Sequence, residues 1–377
     1  MSGRKWKIEE LSVGMTGEAT FWPNPVEDSE FGLRSTHFDG RRAPKVVLTR
    51  DRRVVAGVSC LVRITAISKP EREDRGTIEV EWIGPAPFRI ESVWLDPVVS
   101  KKLQVLLQSG LNILLDGPQG CGKTVLARAI AASLGYEFVF FNCGAVIDAV
   151  DFFATIQVRA SSSGSPVTDF VKTEVLEAVE RAEVEPSRRF LVFLDELNRC
   201  QESARNALMP ALDSTRRVFH PIENRFVAIP DNVQFIAAVN RGREFSGTFA
   251  IDAAQLDRFA PLQMDYPPPE EEVKLLVARH PDLAHKLVED VVAVADAVRK
   301  APDLPGTLSV RATEEACVYL QHPLFSGQAR SAVPEILKSS FCGRFAGRAH
   351  DVNSDAGTVW AVVAGKLRER GYAPGDA

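Results

Sequence analysis

The chain has no run of 18 apolar residues, which excludes a membrane-spanning helix of ordinary length. Its opening residues, MSGRKWKIEE, have no apolar core, so they do not read as a secretory signal. No CxxC pair occurs among Cys60, Cys121, Cys143, Cys200, Cys317 and Cys342. Scattered cysteines argue against a disulfide framework or a zinc site and fit reduced thiols in the cytoplasm. His37, His220, His280, His285, His322 and His350 form no metal-spaced cluster and are assigned no role. Excess positive charge is also missing. The net charge is -5, so nothing global draws the chain to nucleic acid, although local patches can act.

What is present suits a large soluble protein. The chain has 377 residues, 45% of them hydrophobic, enough for two or three domains. Three textures divide it. Residues 1–95 read as a β-rich domain, since VSCLVRITAIS and GTIEVEWIG alternate apolar and polar side chains, joined by a charged turn, KPEREDRG. A small barrel resembling an OB-fold is expected there, with Phe21, Trp22 and Phe31 as core. Residues 96–266 alternate strands and helices, with strands expected at 112–116, 137–142, 190–195, 233–240 and 261–265. That pattern predicts an α/β fold with a five-stranded parallel sheet covered on both faces. After YPPPEEE, residues 267–377 read as a helical lid. ASSSGSP, at 160–166, reads as a loop.

The chemistry starts at GPQGCGKT, between the apolar LNILLD and the helical VLARAIAASLG. Gly117-x4-Gly122-Lys123-Thr124 is a P-loop in its required strand–loop–helix context. Glycines let successive N–H groups face phosphate oxygens, beside the positive end of a helix dipole. Gly117, Pro118, Gln119, Gly120, Cys121, Gly122, Lys123, Thr124 and Val125 are the expected nucleotide contacts. Lys123 would reach the β- and γ-phosphates, and Thr124 would ligate magnesium. Cys121 reads as a small neutral filler. A second strand, FLVFLDELNR, ends in Asp195, a magnesium-side carboxylate, and Glu196, placed to polarise water. Asn240 ends the next strand, Arg258 stands before the fifth, and Arg311 lies at the first turn of a lid helix. A cation there opposes the helix dipole, and a phosphate contact would explain it.

At these residues the sequence resembles an AAA+ ATPase, and within that superfamily the MoxR and CbbQ/NorQ group, over residues 100–320. LDELNRCQESARNALMPALD resembles the group's Walker B strand and following helix, and NRGREFSGTFAIDAAQLDRF its sensor 1 and arginine-finger segment. It departs from the group at Arg241, where a proline usually follows sensor 1, and at FVKTEVLEAV, which replaces a Gly-Pro-Leu step. The resemblance implies ATP and Mg2+ as ligands, with Asn240 as sensor 1, Arg258 as the finger acting on a neighbour's nucleotide, and Arg311 as sensor 2. It also implies a hexameric ring that remodels or activates a partner protein, such as one with a von Willebrand factor A domain. Two alternatives stay open. One is an ATPase or GTPase motor on DNA, or one recruiting a nuclease in a phage-defence or restriction system; the other is a scaffold timed by hydrolysis. RRAPKVVLTRDRR, at 41–53, would serve the DNA reading, although it also reads as a solvated hairpin.

Overall fold

A computed structural model describes residues 6–24, 32–39, 41–51, 54, 59–68, 77–85, 92–160, 166–240, 249–302, 304 and 306–374. Phe31, Arg52, Arg53, the charged turn at 69–76, the serine-rich residues 161–165 and the segment 241–248 with Arg241 lie outside the described residues.

Alternation at the N-terminus becomes strands β1 (Thr16–Thr20), β2 (Trp22–Pro23), β3 (Leu33–Phe38), β4 (Arg41–Thr49), β5 (Ser59–Ile67) and β6 (Thr77–Pro85). They form one sheet in the order β1-β5-β6-β4-β3-β2, antiparallel except where β4 meets β6. Val62 and Ile64 of β5 and Ile78 and Val80 of β6 share a core with Phe21 and Phe38, as a period of two requires. Asp39 N–H donates to Glu18 O at 2.6 Å, which brings the end of β3 against β1. Trp22 corrects the expectation of a core residue. It is 59% exposed while Phe21 is fully buried, because neighbours on an extended chain face opposite sides.

Helix α1 (Pro97–Gln108) starts where Asp96 accepts a hydrogen bond from Val98 N–H and Pro97 takes the first helical position. There follow β7 (Ile113–Gly117), α2 (Lys123–Leu134), β8 (Glu137–Asn142), β9 (Ala154–Ala160), β10 (Pro166–Lys172), α3 (Glu174–Val184) and β11 (Phe190–Asp195). The chain continues through α4 (Glu202–Arg205), α5 (Met209–Leu212), β12 (Arg217–His220), β13 (Arg225–Ala228), β14 (Val233–Asn240), α6 (Ala253–Leu256) and β15 (Ala260–Gln263). All five expected strands are present. They form a parallel sheet ordered β15-β7-β14-β11-β8, with separate apolar clusters against its two faces. Register fixes where chemistry sits. Asn240 pairs with Gly117 and Asp195 with Asn142, so four strand ends meet at one carboxyl edge, where ligands bind in such sheets.

Two strand pairs add to the elements expected from the sequence. The strands on either side of residues 161–165 pair as the antiparallel β9–β10. A second hairpin, β12–β13, fills the crossover between β11 and β14. Beyond the sheet come α7 (Pro269–Arg279), α8 (His285–Lys300), α9 (Val310–Gln321), α10 (Pro323–Ser326), α11 (Ala329–Leu337) and α12 (Asp355–Glu369), around their own apolar cluster. Among the described residues, no helix is long and apolar enough to cross a membrane.

Candidate nucleotide site

The loop after β7 is shaped by its glycines. Gly120 and Gly122 have φ of 71° and 101°, a region that glycine enters without a Cβ penalty. A Cβ at Gly120 would stand 2.5 Å from Ser309 Cβ, and one at Gly117 would stand 2.6 Å from Met264 O. The loop is therefore packed from both sides. Lys123 is buried, and its Nζ donates to Gly117 O at 2.7 Å and to Pro118 O at 2.8 Å. Thr124 Oγ1 donates to Asp195 Oδ2 at 3.2 Å, uniting the two expected magnesium-side groups across 71 residues.

Glu196 follows in a left-handed conformation, φ 53°, which is uncommon outside glycine and turns its side chain away from the strand line. Its Oε2 faces Arg199 Nε at 3.3 Å and lies where a Cβ at Gly144 would approach to 3.3 Å. Asn240 is buried, and its carbonyl accepts from Asn198 Nδ2 at 2.8 Å. A single cleft is lined by Gln119 to Val125, Asp195, Glu196, Asn240 and Arg311.

Ser92, Val93, Trp94, Arg279 and Glu314 also line that cleft, and sequence reading missed them. Arg279 Nη2 donates to Ser92 O and Nη1 to Glu314 Oε2, both at 2.8 Å, tying the segment before α1 to α7 and α9. No motif spacing signals a contact between residues 187 positions apart. A second chain of contacts runs from the loop to α9. Tyr266 Oη donates to Gln119 O at 2.8 Å, and Arg299 lies 4.9 Å over the Tyr266 ring. Arg299 also pairs with the fully buried Glu272, whose Oε1 accepts from Thr313 Oγ1 at 2.6 Å. Thr313 is two residues from Arg311, so the first turn of α9 is held against the loop.

Arg258 stands elsewhere. It lines a different surface, with Gly110, Asn112, Asp213 and Arg216, and its carbonyl accepts from Asn112 Nδ2 at 3.2 Å. Asn112 precedes β7 and Gly117 ends it, so at about 3.3 Å per residue roughly 16 Å of strand separates Arg258 from the loop.

The histidines need one correction. His220 is 1% exposed and lies with Glu180 and Glu223, a group whose ligand atoms are all within 4.8 Å. It is still a poor metal ligand. Its Nδ1 accepts from Glu223 N–H at 3.1 Å, which leaves the proton on Nε2, 2.9 Å from Glu180 Oε1. Lys172 Nζ occupies the same carboxylate at 2.7 and 2.8 Å. The cluster is a hydrogen-bonded pin between β10, α3 and β12. The cysteines are free and buried, and burial pushes the Cys121 thiol up, as a packing residue would show.

Residues 112–259 match the AAA domain of the dynein-related subfamily. The chain carries an AAA domain of the P-loop ATPase class. An uncharacterized protein of Staphylococcus saprophyticus is 28% identical over 171 residues, 45% of this chain and 62% of that protein. One of Staphylococcus haemolyticus is 26% identical with the same coverage. BssE of Thauera aromatica, named as a candidate chaperone, is 27% identical over 204 residues, 54% of this chain and 67% of that protein. The chain thus spans 62% of the length of the staphylococcal relatives.

Burial gives one pH expectation for this domain. It holds the Lys123 ammonium below its ordinary value, against the opposing pull of Cys121, Asp195 and Asp116. Phosphates beside it would favour the charged form, so binding takes up a proton once the free protein has lost it. Nucleotide affinity should therefore fall as pH rises through the lowered Lys123 value. Titrating a fluorescent ATP analogue from pH 7 upward checks this, and an affinity that rises with pH would overturn it.

Proposed function

We propose that the protein is an AAA+ ATPase of MoxR type that works as a ring, hydrolysing ATP to remodel or activate a partner protein. The observation that carries this reading is the separation of Arg258 from its own cleft. Gln119 to Val125, Asp195, Glu196, Asn240 and Arg311 line one pocket, while Arg258 lines a second surface. Among the described residues its Nη1 bonds Ala254 O of the preceding α6, and its buried Nε has no partner. A guanidinium so placed suits a neighbour's phosphates, and a heterologous contact that repeats until it closes makes a ring, here read as a hexamer.

Lys123 and the loop amides would hold the phosphates, and Thr124 with Asp195 would hold magnesium, which neutralises phosphate charge when bound. The 3.2 Å approach of those two side chains, at a carboxyl strand edge, is the fit that supports it. Glu196 would take the proton of the attacking water, Asn240 would orient that water, and Arg311 would contact phosphate from α9. In this reading 96–266 is the motor, 267–377 its lid, and 1–95 an OB-like unit that selects the target. The chaperone name of the Thauera relative points the same way. Free, buried cysteines suit the cytoplasm.

The test is purification of the Glu196→Gln protein from its native cells in Mg-ATP. A stoichiometric protein partner that survives nuclease treatment supports remodelling, and a von Willebrand factor A domain in it would confirm the client class. Co-purifying DNA or a nuclease would overturn that reading in favour of the DNA motor. Salt-sensitive binding should then be lost on neutralising Arg41, Arg42 and Arg50 together with Arg52 and Arg53.

A further inference from the structure

Arg205 is fully buried, yet among the described residues its hydrogen bonds go to neutral acceptors. Nη1 donates to Cys200 O at 2.6 Å, Nη2 to Ala250 O at 2.6 Å and Nε to Gln255 Oε1 at 3.0 Å. Taking a guanidinium out of water is costly, and the Glu202 and Asp252 carboxylates favour its charge without hydrogen-bonding it, so an apolar side chain would fill the same space more cheaply. What an apolar residue lacks is reach in three directions at once. The acceptors belong to two functional segments. Cys200 is four residues past Glu196, whereas Ala250 and Gln255 lead into Arg258. Gln255 is itself held, donating from Nε2 to Asn206 Oδ1 at 2.9 Å and from its backbone to Asp252 Oδ1 at 2.8 Å. The bridge therefore continues through α6 to the turn that presents Arg258.

We infer that Arg205 is a positioning residue that sets the place of Arg258 relative to the carboxylate loop after β11, so that one subunit's Glu196 segment and the finger it offers its neighbour move as one piece. This rests on the reading of Arg258 as a finger acting in trans. Arg205 is not among the residues that line the nucleotide cleft.

The test uses the full chain and Arg205→Lys, which keeps the charge but cannot span three acceptors. Turnover at saturating Mg-ATP should fall by about 100-fold, the scale of a 1 Å misplacement, with KM and the affinity for a fluorescent ATP analogue held within about twofold. Mixing decides direction. Arg205→Lys subunits have an intact cleft and a misplaced finger, so Glu196→Gln subunits should restore turnover and Arg258→Ala subunits should not. The reverse pattern would mean that Arg205 serves its own Glu196, and the inference fails. Wild-type turnover in Arg205→Lys also overturns it. If Arg205→Lys does not unfold cooperatively, Gln255→Asn, which withdraws one acceptor by a methylene, should give the same mixing pattern with a smaller fall. An Arg258→Ala with Glu196→Gln mixture is the control. Its failure to recover turnover would count against the finger itself, separately from Arg205.

Discussion

Arg258→Ala should bind ATP as tightly as the parent protein and turn it over about 10³ to 10⁵ times more slowly, the range an arginine finger supplies. That is about 4 to 7 kcal/mol of transition-state stabilisation. Binding should survive because no atom of Arg258 lines the cleft holding Lys123, Thr124 and Asp195. Its backbone is fixed at the far edge of the sheet by Asn112, and an arginine side chain cannot span the length of β7 to reach its own loop. The loss should therefore be repairable by a neighbour. Rings mixed from Arg258→Ala and Glu196→Gln subunits contain junctions where an intact cleft meets an intact finger, and turnover should return in proportion to those junctions. A homogeneous Arg258→Ala protein that hydrolyses normally would remove the argument for a trans site, and with it the main support for a ring.

The cleft was legible because its parts obey local rules. Apolar runs gave β7, β8, β11, β14 and β15 within about two residues, and parallel pairing then places the residue after each run at one edge. The Gly117 to Thr124 spacing needs no tertiary knowledge, since the loop makes its cradle from its own backbone. Residues that steady the cleft were illegible for the opposite reason. Arg205, Glu272 and Asn198 are buried, and nothing in their local pattern says so, because what admits a polar side chain to a core is a distant acceptor. Arg205 finds its acceptor 50 residues away at Gln255, and Asn198 finds one 42 away at Asn240. The hairpins failed differently. RVFH and RFVA are four-residue strands, too short for alternation to outweigh their polar ends. Phe219 and Phe226 then pair across that hairpin at 5.5 Å and stay partly exposed, so neither reads as core.

Glu196→Gln should show the complementary loss. Its turnover should drop about 10² to 10⁴ times, the usual contribution of a positioned general base, while ATP binding holds or tightens. The substitution conserves volume and leaves an oxygen that Arg199 can still approach, so the left-handed turn at Glu196 is undisturbed. What disappears is the lone pair basic enough to accept a proton from water. Asp195 cannot substitute, because its Oδ2 is engaged by Thr124 and its Oδ1 accepts from Glu196 N–H at 3.0 Å. Lys123→Ala marks the contrast, since removing the ammonium from the loop should abolish binding and turnover together. If the ring is held by a finger resting on a neighbour's intact triphosphate, the glutamine variant in Mg-ATP should be the most persistent assembly of the three. Light scattering after size exclusion separates these outcomes: a large species for Glu196→Gln that Lys123→Ala does not form. Equal sizes for both would mean that assembly ignores the triphosphate, and a finger needing an intact ring would then have to be positioned by protein contacts alone.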